Sequence, residues 1–381
     1  MIALLGKRDQ PTDALRDYCA HLAAALARRN VSLHVADFEW DRQAWPRAFA
    51  RLLRQSHDWR GEWVVVHYTA LAWSSRGFPW RFPRVLRTLR RAGARVAVVF
   101  HDSIPATGTR GRDRVRAAIQ LSVMRSAYSL AERAIFPLPL DQISWLPKAT
   151  SKATFIPIGS NILPANSRPG AGPIGTTTSG DHPCVLDPFV TGFRAYPRDE
   201  IRSRVAVFGV TGSGRTSREV QDIAAALLEV RRRVGPVSML VMGRGAEAAR
   251  SALQTALAGS GVEVEIFGVL PAIDVAQKLA ECDAMLFVRG ELSPQRGSAL
   301  AAVACGLPLV GYRGPGTVFP ITEAGVELAP INDRSALAEA LCRMLQHDAH
   351  RLSLRENSRL AYTQHFSWDV ITKRYIEVLG L

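Results

Sequence analysis

The sequence predicts an α/β protein built as two doubly wound parallel-sheet domains facing across a cleft. Three observations carry this. Short β-branched runs alternate with helix-periodic stretches over residues 1–162, a stretch rich in Pro, Gly, Ser and Thr interrupts them, and the alternation restarts at Arg204. The chain has 381 residues, 47% of them hydrophobic, enough to bury two cores.

In chain order, IALL (2–5) reads as the first strand. Pro11-Thr12-Asp13 then opens a helix whose Leu15, Tyr18, Cys19, Leu22 and Leu26 share one face. VSLHVA (31–36), WVVVHY (63–68), RVAVVF (95–100), AIF (134–136) and TFIPI (154–158) are the other strands of the first half, with helical stretches between them. PANSRPGAGPIGTTTSGDHP, within 163–201, has no periodicity and reads as a linker or mobile loop. VAVF (205–208), SMLVM (238–242), VEVEIF (262–267), AMLFV (284–288) and LPLVG (307–311) make the second sheet, and a helical tail follows from Ser335.

The net charge of +14 is unevenly placed. Residues 1–162 hold 25 Lys+Arg against 12 Asp+Glu, whereas residues 202–381 hold 20 against 18. Such an excess in one half calls for an acidic partner, either an anionic membrane or a phosphate-bearing substrate. Nucleic acid is not expected, because the basic half lacks interleaved aromatics or a known module. FPRVLRTLRRAGAR (82–95) sets Arg84, Arg87 and Arg91 at helical spacing beside Val85, Leu86 and Leu89, and Arg110, Arg112, Arg114 and Arg116 follow. This face either makes peripheral contact with an anionic membrane, draws in a lipid-linked phosphate-bearing acceptor, or is a solvated basic face. No apolar run reaches the roughly 18 residues of a membrane span. MIALLGKRDQ places its charges after a very short apolar stretch, unlike a secretory leader, so a cytoplasmic protein is expected, at most peripheral at the inner face of the membrane. Cys19, Cys184, Cys282, Cys305 and Cys342 lie far apart, which suggests neither a zinc site nor a disulfide framework.

The runs FGVTGSGR, MLVMGRGAE, VEIFGVLPAIDVAQKLAECDAMLFV, ACGLPLVGY and FSWDVITKRYIEVL, with IPIGSNI (156–162) and His101-Asp102 in the first half, resemble the retaining glycosyltransferases of family 4. PTDALRDYC and HYTALAWSSRGFP resemble a bacterial subgroup of these enzymes of polysaccharide biosynthesis. The resemblance implies the GT-B fold, with two Rossmann-like domains. It implies an acceptor-binding domain over 1–162, a linker over 163–201, a nucleotide-sugar-binding domain over 202–365, and a C-terminal helix over 366–381 packing back on the first domain. The partners would be a nucleotide-sugar donor, used as substrate with no cofactor, and a glycan, polyol or lipid-linked acceptor.

RGELSPQRGSALAAVACGLPLV (289–310) carries the donor chemistry. A helix starting near Ser298 offers unpaired N–H groups and a positive dipole end to a diphosphate. Arg296 adds a forked cation and Gly297 lets the backbone come close. The bland reading is a surface loop with a Ser cap. The family's two glutamates, with seven residues between them, fall on Ser293 and Ala301 here, and Glu291 is the alternative acid, or else a solvated one. Gly209 ends a strand and is followed by Gly212, Gly214 and Arg215; the resemblance assigns Arg215 to the donor phosphates, whereas the usual Arg directly after the glycine is Val210. Gly243-Arg244-Gly245 is a tight turn that either lines the nucleotide site or packs. Phe267-Gly268-Val269 fits a base-binding turn or a buried strand end.

In the first domain, Gly6 lies in a loop that can border both substrates, and Asp13 either touches acceptor or caps its helix, capping being the safer assignment. Tyr68 and Trp73, in HYTALAWSSRGFP, are candidate acceptor contacts. His101, at a strand's carboxyl end, is a candidate for bonding to the transferred sugar or the leaving phosphate, and Asp102 for orienting His101 or accepting the acceptor's proton. No Asp-x-Asp pair occurs, so no metal is expected and arginines with helix-end dipoles would carry the leaving-group charge. A second class fits the missing glutamates: a catalytically degenerate GT-B protein that binds nucleotide or glycan without turnover. A nucleotide-sugar epimerase shares the architecture, but the lack of paired acids argues against it.

Overall fold

The computed structural model describes residues 1–7, 13–36, 38, 40, 45–108, 110–164, 203–211 and 216–381, with the backbone alone at 216 and 217. The linker assigned to 163–201 therefore lies outside the described residues apart from its first two. The chain divides into two compact units: Met1–Asn161 with Thr363–Leu381, and Ile162–Tyr362.

Unit 1 begins with β1 (Ile2–Leu4), α1 (Ala14–Ala27), β2 (His34–Ala36), α2 (Trp45–Gln55) and β3 (Trp63–Tyr68). It continues with α3 (Ala70–Trp73), α4 (Phe82–Arg91), β4 (Arg95–Phe100), α5 (Gly111–Leu130), β5 (Arg133–Phe136) and β6 (Ala153–Phe155). The six strands form a parallel sheet in the order β2-β1-β3-β4-β5-β6. All six residues of β3, and all of β4 except Arg95, are buried, which is why both read as unbroken apolar runs: a parallel sheet is covered on both faces. α1 starts where Asp13 accepts a hydrogen bond from the Arg16 N–H at 3.2 Å, the capping role expected of it. The core joins Tyr68, Phe82, Phe100 and Phe136 to Trp40, Trp73 and Trp145.

Unit 2 holds β7 (Ser203–Phe208), α6 (Thr216–Arg233), β8 (Val237–Met242), α7 (Ala246–Ala256), β9 (Glu263–Ile266) and α8 (Ala272–Ala280). After them come β10 (Ala284–Glu291), α9 (Gly297–Ala304), β11 (Leu309–Arg313), β12 (Val326–Pro330), α10 (Arg334–Gln346) and α11 (Asp348–Ala361). Its parallel sheet runs β12-β11-β10-β7-β8-β9, a doubly wound order that reverses between β7 and β10. Two expectations are corrected here. The strand read as 307–311 begins at Leu309, because the Leu307 N–H closes the end of α9 on the Ala302 carbonyl at 2.9 Å and Pro308 has no N–H to give. β12 was not foreseen; VELAP is short and ends in proline.

The last helix, α12 (Trp368–Leu379), belongs to unit 1 and packs against α1. The Trp368 indole N–H donates to the Ser160 carbonyl at 2.9 Å and its ring stacks on His21 at 5.4 Å. A Cβ on Gly159 would stand 2.7 Å from that ring, so the glycine of IPIGSNI is what admits the tryptophan. The Trp63 indole donates to the Leu379 carbonyl at 2.8 Å, and Arg133 Nε to Val378 at 3.1 Å.

Candidate functional site

In unit 2 the residues in question gather at the carboxyl ends of β7 to β10. Gly209 leaves β7 at φ +85°, a left-handed conformation that disfavours a side chain. Its N–H donates to the Met242 carbonyl at 2.7 Å, and the Val210 N–H to Arg244 at 3.0 Å, so the ends of β7 and β8 are tied together. Gly243 is required by packing: a Cβ there would stand 2.7 Å from the Phe208 ring. The Gly243 N–H in turn donates to the Gly268 carbonyl at 2.9 Å, which brings the Phe267-Gly268-Val269 turn alongside. Val269 is exposed, and Lys278 Nζ lies 5.0 Å over the Phe267 ring. The Thr211 N–H is held by the buried Glu219 carboxylate at 2.7 Å. Gly212, Gly214 and Arg215 lie outside the described residues.

Arg289, a residue the sequence reading passed over, occupies the reversal point itself. It follows Val288 near the end of β10, and its Nη1 lies 2.9 Å from where a Gly209 Cβ would stand. Its Nε is buried and has no hydrogen-bond partner among the described residues. Val210, where the family's arginine is missing, is buried. A cation from the neighbouring strand thus stands over Gly209, beside the position from which it was expected.

α9 begins at Gly297, with Arg296 as its N-cap and no side-chain cap bond. Ser298 is inside the first turn and is not the cap considered from the sequence. Gly297 faces open space, and the Gly297 and Ser298 N–H groups meet no partner among the described residues, as a helix start leaves them. Arg296 is exposed, and its N–H donates to the buried Ser293 at 3.1 Å. Ala301 is fully buried among Ala299–Ala304, so the second glutamate position is part of the core.

Glu291 ends β10 opposite Tyr312, after an irregularity in the ladder, and is not in the loop. Its Oε2 accepts from the Gly316 N–H at 2.9 Å, and a side chain at Gly314 or Gly316 would collide with the carboxylate. Thr317 Oγ1 adds a bond to the Leu292 carbonyl at 2.6 Å. Glu291, expected as the alternative acid, is a carboxylate that braces the 314–317 turn.

In unit 1 the strand order reverses between β1 and β3. Gly6, just past β1, lies under α3: a Cβ would stand 2.6 Å from the Ala72 carbonyl oxygen. Tyr68 and Trp73, expected as acceptor contacts, are corrected to core residues, at 0% and 3% exposure. Tyr68 packs on Phe82 and Phe100, and the Trp73 indole donates to the His67 carbonyl at 2.9 Å.

His101 and Asp102 follow β4. His67, not Asp102, is bonded to the His101 Nε2, through Nδ1 at 2.9 Å, and the His67 Nε2 meets Cys19 Sγ at 3.4 Å. Tyr18 stands edge-on to both imidazoles and shares a 3.0 Å hydroxyl bond with Tyr375. Burial lowers His101 to about 4. His67 is held well below the ordinary histidine value by burial first and by His101 second. Both rings are therefore neutral at physiological pH, and each has one N–H, so the proton on His101 is coupled to the one on His67. Asp102 Oδ2 accepts from the Ala70 N–H at 2.6 Å; burial raises its carboxyl and that bond lowers it less. His67 and Cys19 were not singled out from the sequence, since 48 residues separate them.

Arg84, Arg87 and Arg91 form an exposed stripe along α4, whereas Val85, Leu86 and Leu89 turn into the core. Trp80 is 53% exposed, with Arg81 and Arg84 over its ring at 4.6 and 5.5 Å. Among the described residues no cluster of His, Cys, Asp and Glu is arranged to hold a metal ion, and no helix is long and apolar enough to cross a membrane.

Comparison with known proteins adds the class. Residues 206–347 match the family described as Glycosyl transferases group 1. No curated protein matches the chain in sequence. Among solved structures the chain is similar to sucrose-phosphate synthase from Thermosynechococcus elongatus, at 17% identity over 100% of this chain and 98% of that one, with a TM-score of 0.65. It is similar to Anabaena Alr3699/HepE, solved in complex with UDP and glucose, at 14% identity over 100% and 99%, with a TM-score of 0.62. A glycosyltransferase from Rickettsia africae aligns at 11% identity over 99% and 98%, with a TM-score of 0.63. The fold is the two-domain, Rossmann-like GT-B fold, and the class that fold and family match define is a glycosyltransferase.

Proposed function

We propose that this glycosyltransferase takes a nucleotide-sugar in unit 2, of the UDP type that the Anabaena structure holds, and transfers the sugar to a glycan, polyol or lipid-linked acceptor bound by unit 1. The observation that carries the donor assignment is the reversal point of unit 2: Arg289 over Gly209, beside the open first turn of α9 with Arg296 at its cap. Two guanidiniums and a helix N-terminus suit a leaving diphosphate, so the proposal needs no metal.

We further propose membership of the retaining family 4, in bacterial polysaccharide synthesis. In that chemistry the bond from the anomeric carbon to the diphosphate oxygen breaks and the bond to the acceptor oxygen forms on the same face. The acceptor's proton passes to the departing phosphate. His101, neutral and held by His67, would hydrogen-bond to the sugar or the phosphate in this scheme. The arginine stripe on α4 would give peripheral contact with an anionic membrane at its cytoplasmic face.

The second reading, binding without turnover, is favoured by Ser293 and Ala301 standing where the family has glutamates, and by the engagement of Glu291 with Gly316. Titration with UDP, followed by turnover of a nucleotide-sugar panel with and without acceptors, separates the two. UDP binding with turnover supports the enzyme, UDP binding with no turnover of any donor supports the degenerate protein, and no UDP binding defeats the UDP-type donor assignment.

A further inference from the structure

We propose that unit 1 holds a phosphate-ester site, a cavity of about 470 Å³ walled by Arg76, Arg112 and Arg116, and that the acceptor carries its phosphate there with a hydroxyl turned to Asp102. The acceptor role rests on the proposed function; the anion site does not.

Three guanidiniums share this one cavity, and among the described residues the compensating charge around them is small. Arg76 and Arg112 make no hydrogen bond or ion pair among the described residues. Arg116 meets Asp113 at 3.7 Å, and its buried Nε has no acceptor among the described residues. Among the described residues of the lining Asp102 is the one carboxylate, and its Oδ2 is already used by the Ala70 N–H. Like charges gathered in a partly closed space repel, and a forked guanidinium with an unused N–H is matched by a phosphate oxygen.

The walls are fixed in place. Arg112, Arg116 and Gln120 fall four residues apart on α5, so they line up along one face. Gln120, 4% exposed, donates through Nε2 to the Gly77 carbonyl at 2.8 Å and accepts through Oε1 from the Ala106 N–H at 2.7 Å. One side chain thereby joins the segment carrying Arg76, the segment after Asp102, and the helix carrying the other two arginines. Arg116 is further held by Gly77, whose absent Cβ would stand 3.3 Å from the Arg116 Cδ.

The rest of the lining says what accompanies the phosphate. Leu71 and Ile104 border the cavity at 66% and 50% exposure, so an aliphatic arm leaving the phosphate would cover them. Asp102 offers a carboxylate to a hydroxyl in the same cavity. Burial raises that carboxyl, and its free oxygen can accept a hydrogen bond from a hydroxyl held there. The shared chemistry is a phosphate monoester or diester close to a free hydroxyl, whether from a phosphorylated polyol or a lipid-linked sugar.

The test is calorimetric titration of the full chain with glycerol phosphate, dodecyl phosphate, glycerol and UDP. Both phosphates should bind and glycerol should not. Arg76→Ala and Arg112→Ala, both at exposed positions, should each weaken phosphate binding about tenfold or more and leave UDP affinity unchanged. Tighter binding of dodecyl phosphate assigns a lipid-linked source, and equal affinity a soluble one. Absence of phosphate binding in the wild-type chain, or equal binding by the wild type and both variants, overturns the site. UDP is the separate readout: a wild-type chain that binds the phosphates but not UDP keeps this site and loses the donor assignment.

Discussion

Unit 1 and unit 2 each carry six parallel strands, yet their orders reverse in different places: between β1 and β3 in the first, and between β7 and β10 in the second. What stands beyond the strands differs more. Unit 2 presents glycines at positive φ, the open first turn of α9 and two arginines. Unit 1 presents side chains whose charge burial suppresses, His67, His101 and Asp102, and, farther out, the cavity of arginines. Backbone dipoles with fixed cations suit a diphosphate that arrives charged and leaves charged. Neutral imidazoles and a raised carboxyl suit a hydroxyl whose proton must move. The same architecture thus carries fixed cations and backbone dipoles at one reversal point and side chains whose charge is suppressed at the other.

The contrast can be broken most severely through the attachment of α12. All eight tryptophans lie in unit 1, so tryptophan fluorescence reads that unit alone. Trp368→Ala removes the stack on His21 and the bond to Ser160, and should destabilise unit 1 by about 3–5 kcal/mol in urea. An unchanged urea midpoint would mean that α12 contributes little to unit 1.

The next effect should fall on unit 2. Arg289→Ala should lower UDP affinity by about 1.5–3 kcal/mol with the circular dichroism unchanged. Arg296→Ala, at an exposed cap, should weaken it less. Calorimetry showing unchanged affinity in both variants would remove the electrostatic half of the comparison.

A smaller effect tests the buried imidazoles. The unfolded chain protonates His101 near the ordinary 6.5, while the folded chain resists until about 4. Stability from this group is therefore fully present above about pH 6.5 and is lost as pH falls toward 4. Asp102 is common to both proteins, so the difference between wild type and His101→Asn isolates the histidine. The variant should lose less stability between pH 7 and 5, by on the order of 1–2 kcal/mol, read from urea midpoints. Parallel pH profiles would show that His101 is not held neutral. The smallest expected change is on the α4 stripe, where Arg87→Ala should weaken sedimentation with anionic vesicles by about 1 kcal/mol at low salt and by nothing measurable at high salt.

Much of the architecture was legible because burial on both faces writes parallel strands as continuous valine-rich runs, as in 63–68 and 95–100. The same property hid β12, where five residues ending in proline carry too little pattern. Site residues were legible where local backbone demanded a type: Gly209, Gly243 and the start of α9. They were illegible where the role comes from a partner distant in the chain. Arg289 reads as an ordinary strand residue until Gly209 is seen beneath it, and His67 as strand filling until Cys19 and His101 close on it. Tyr68 and Trp73 misled because sequence does not say which end of an aromatic faces water.

The attachment of α12 also sets an order of assembly. The strands of unit 1 are complete by residue 155, yet the acceptors for the Trp63 indole and for Arg133 Nε are the carbonyls of Leu379 and Val378, respectively. All of unit 2 is synthesised in between. At about 5–20 residues per second a ribosome spends roughly 10–40 s on that interval. Through this time the strands of unit 1 are without the helix that packs on α1 and without the carbonyls that accept from the Trp63 indole and Arg133.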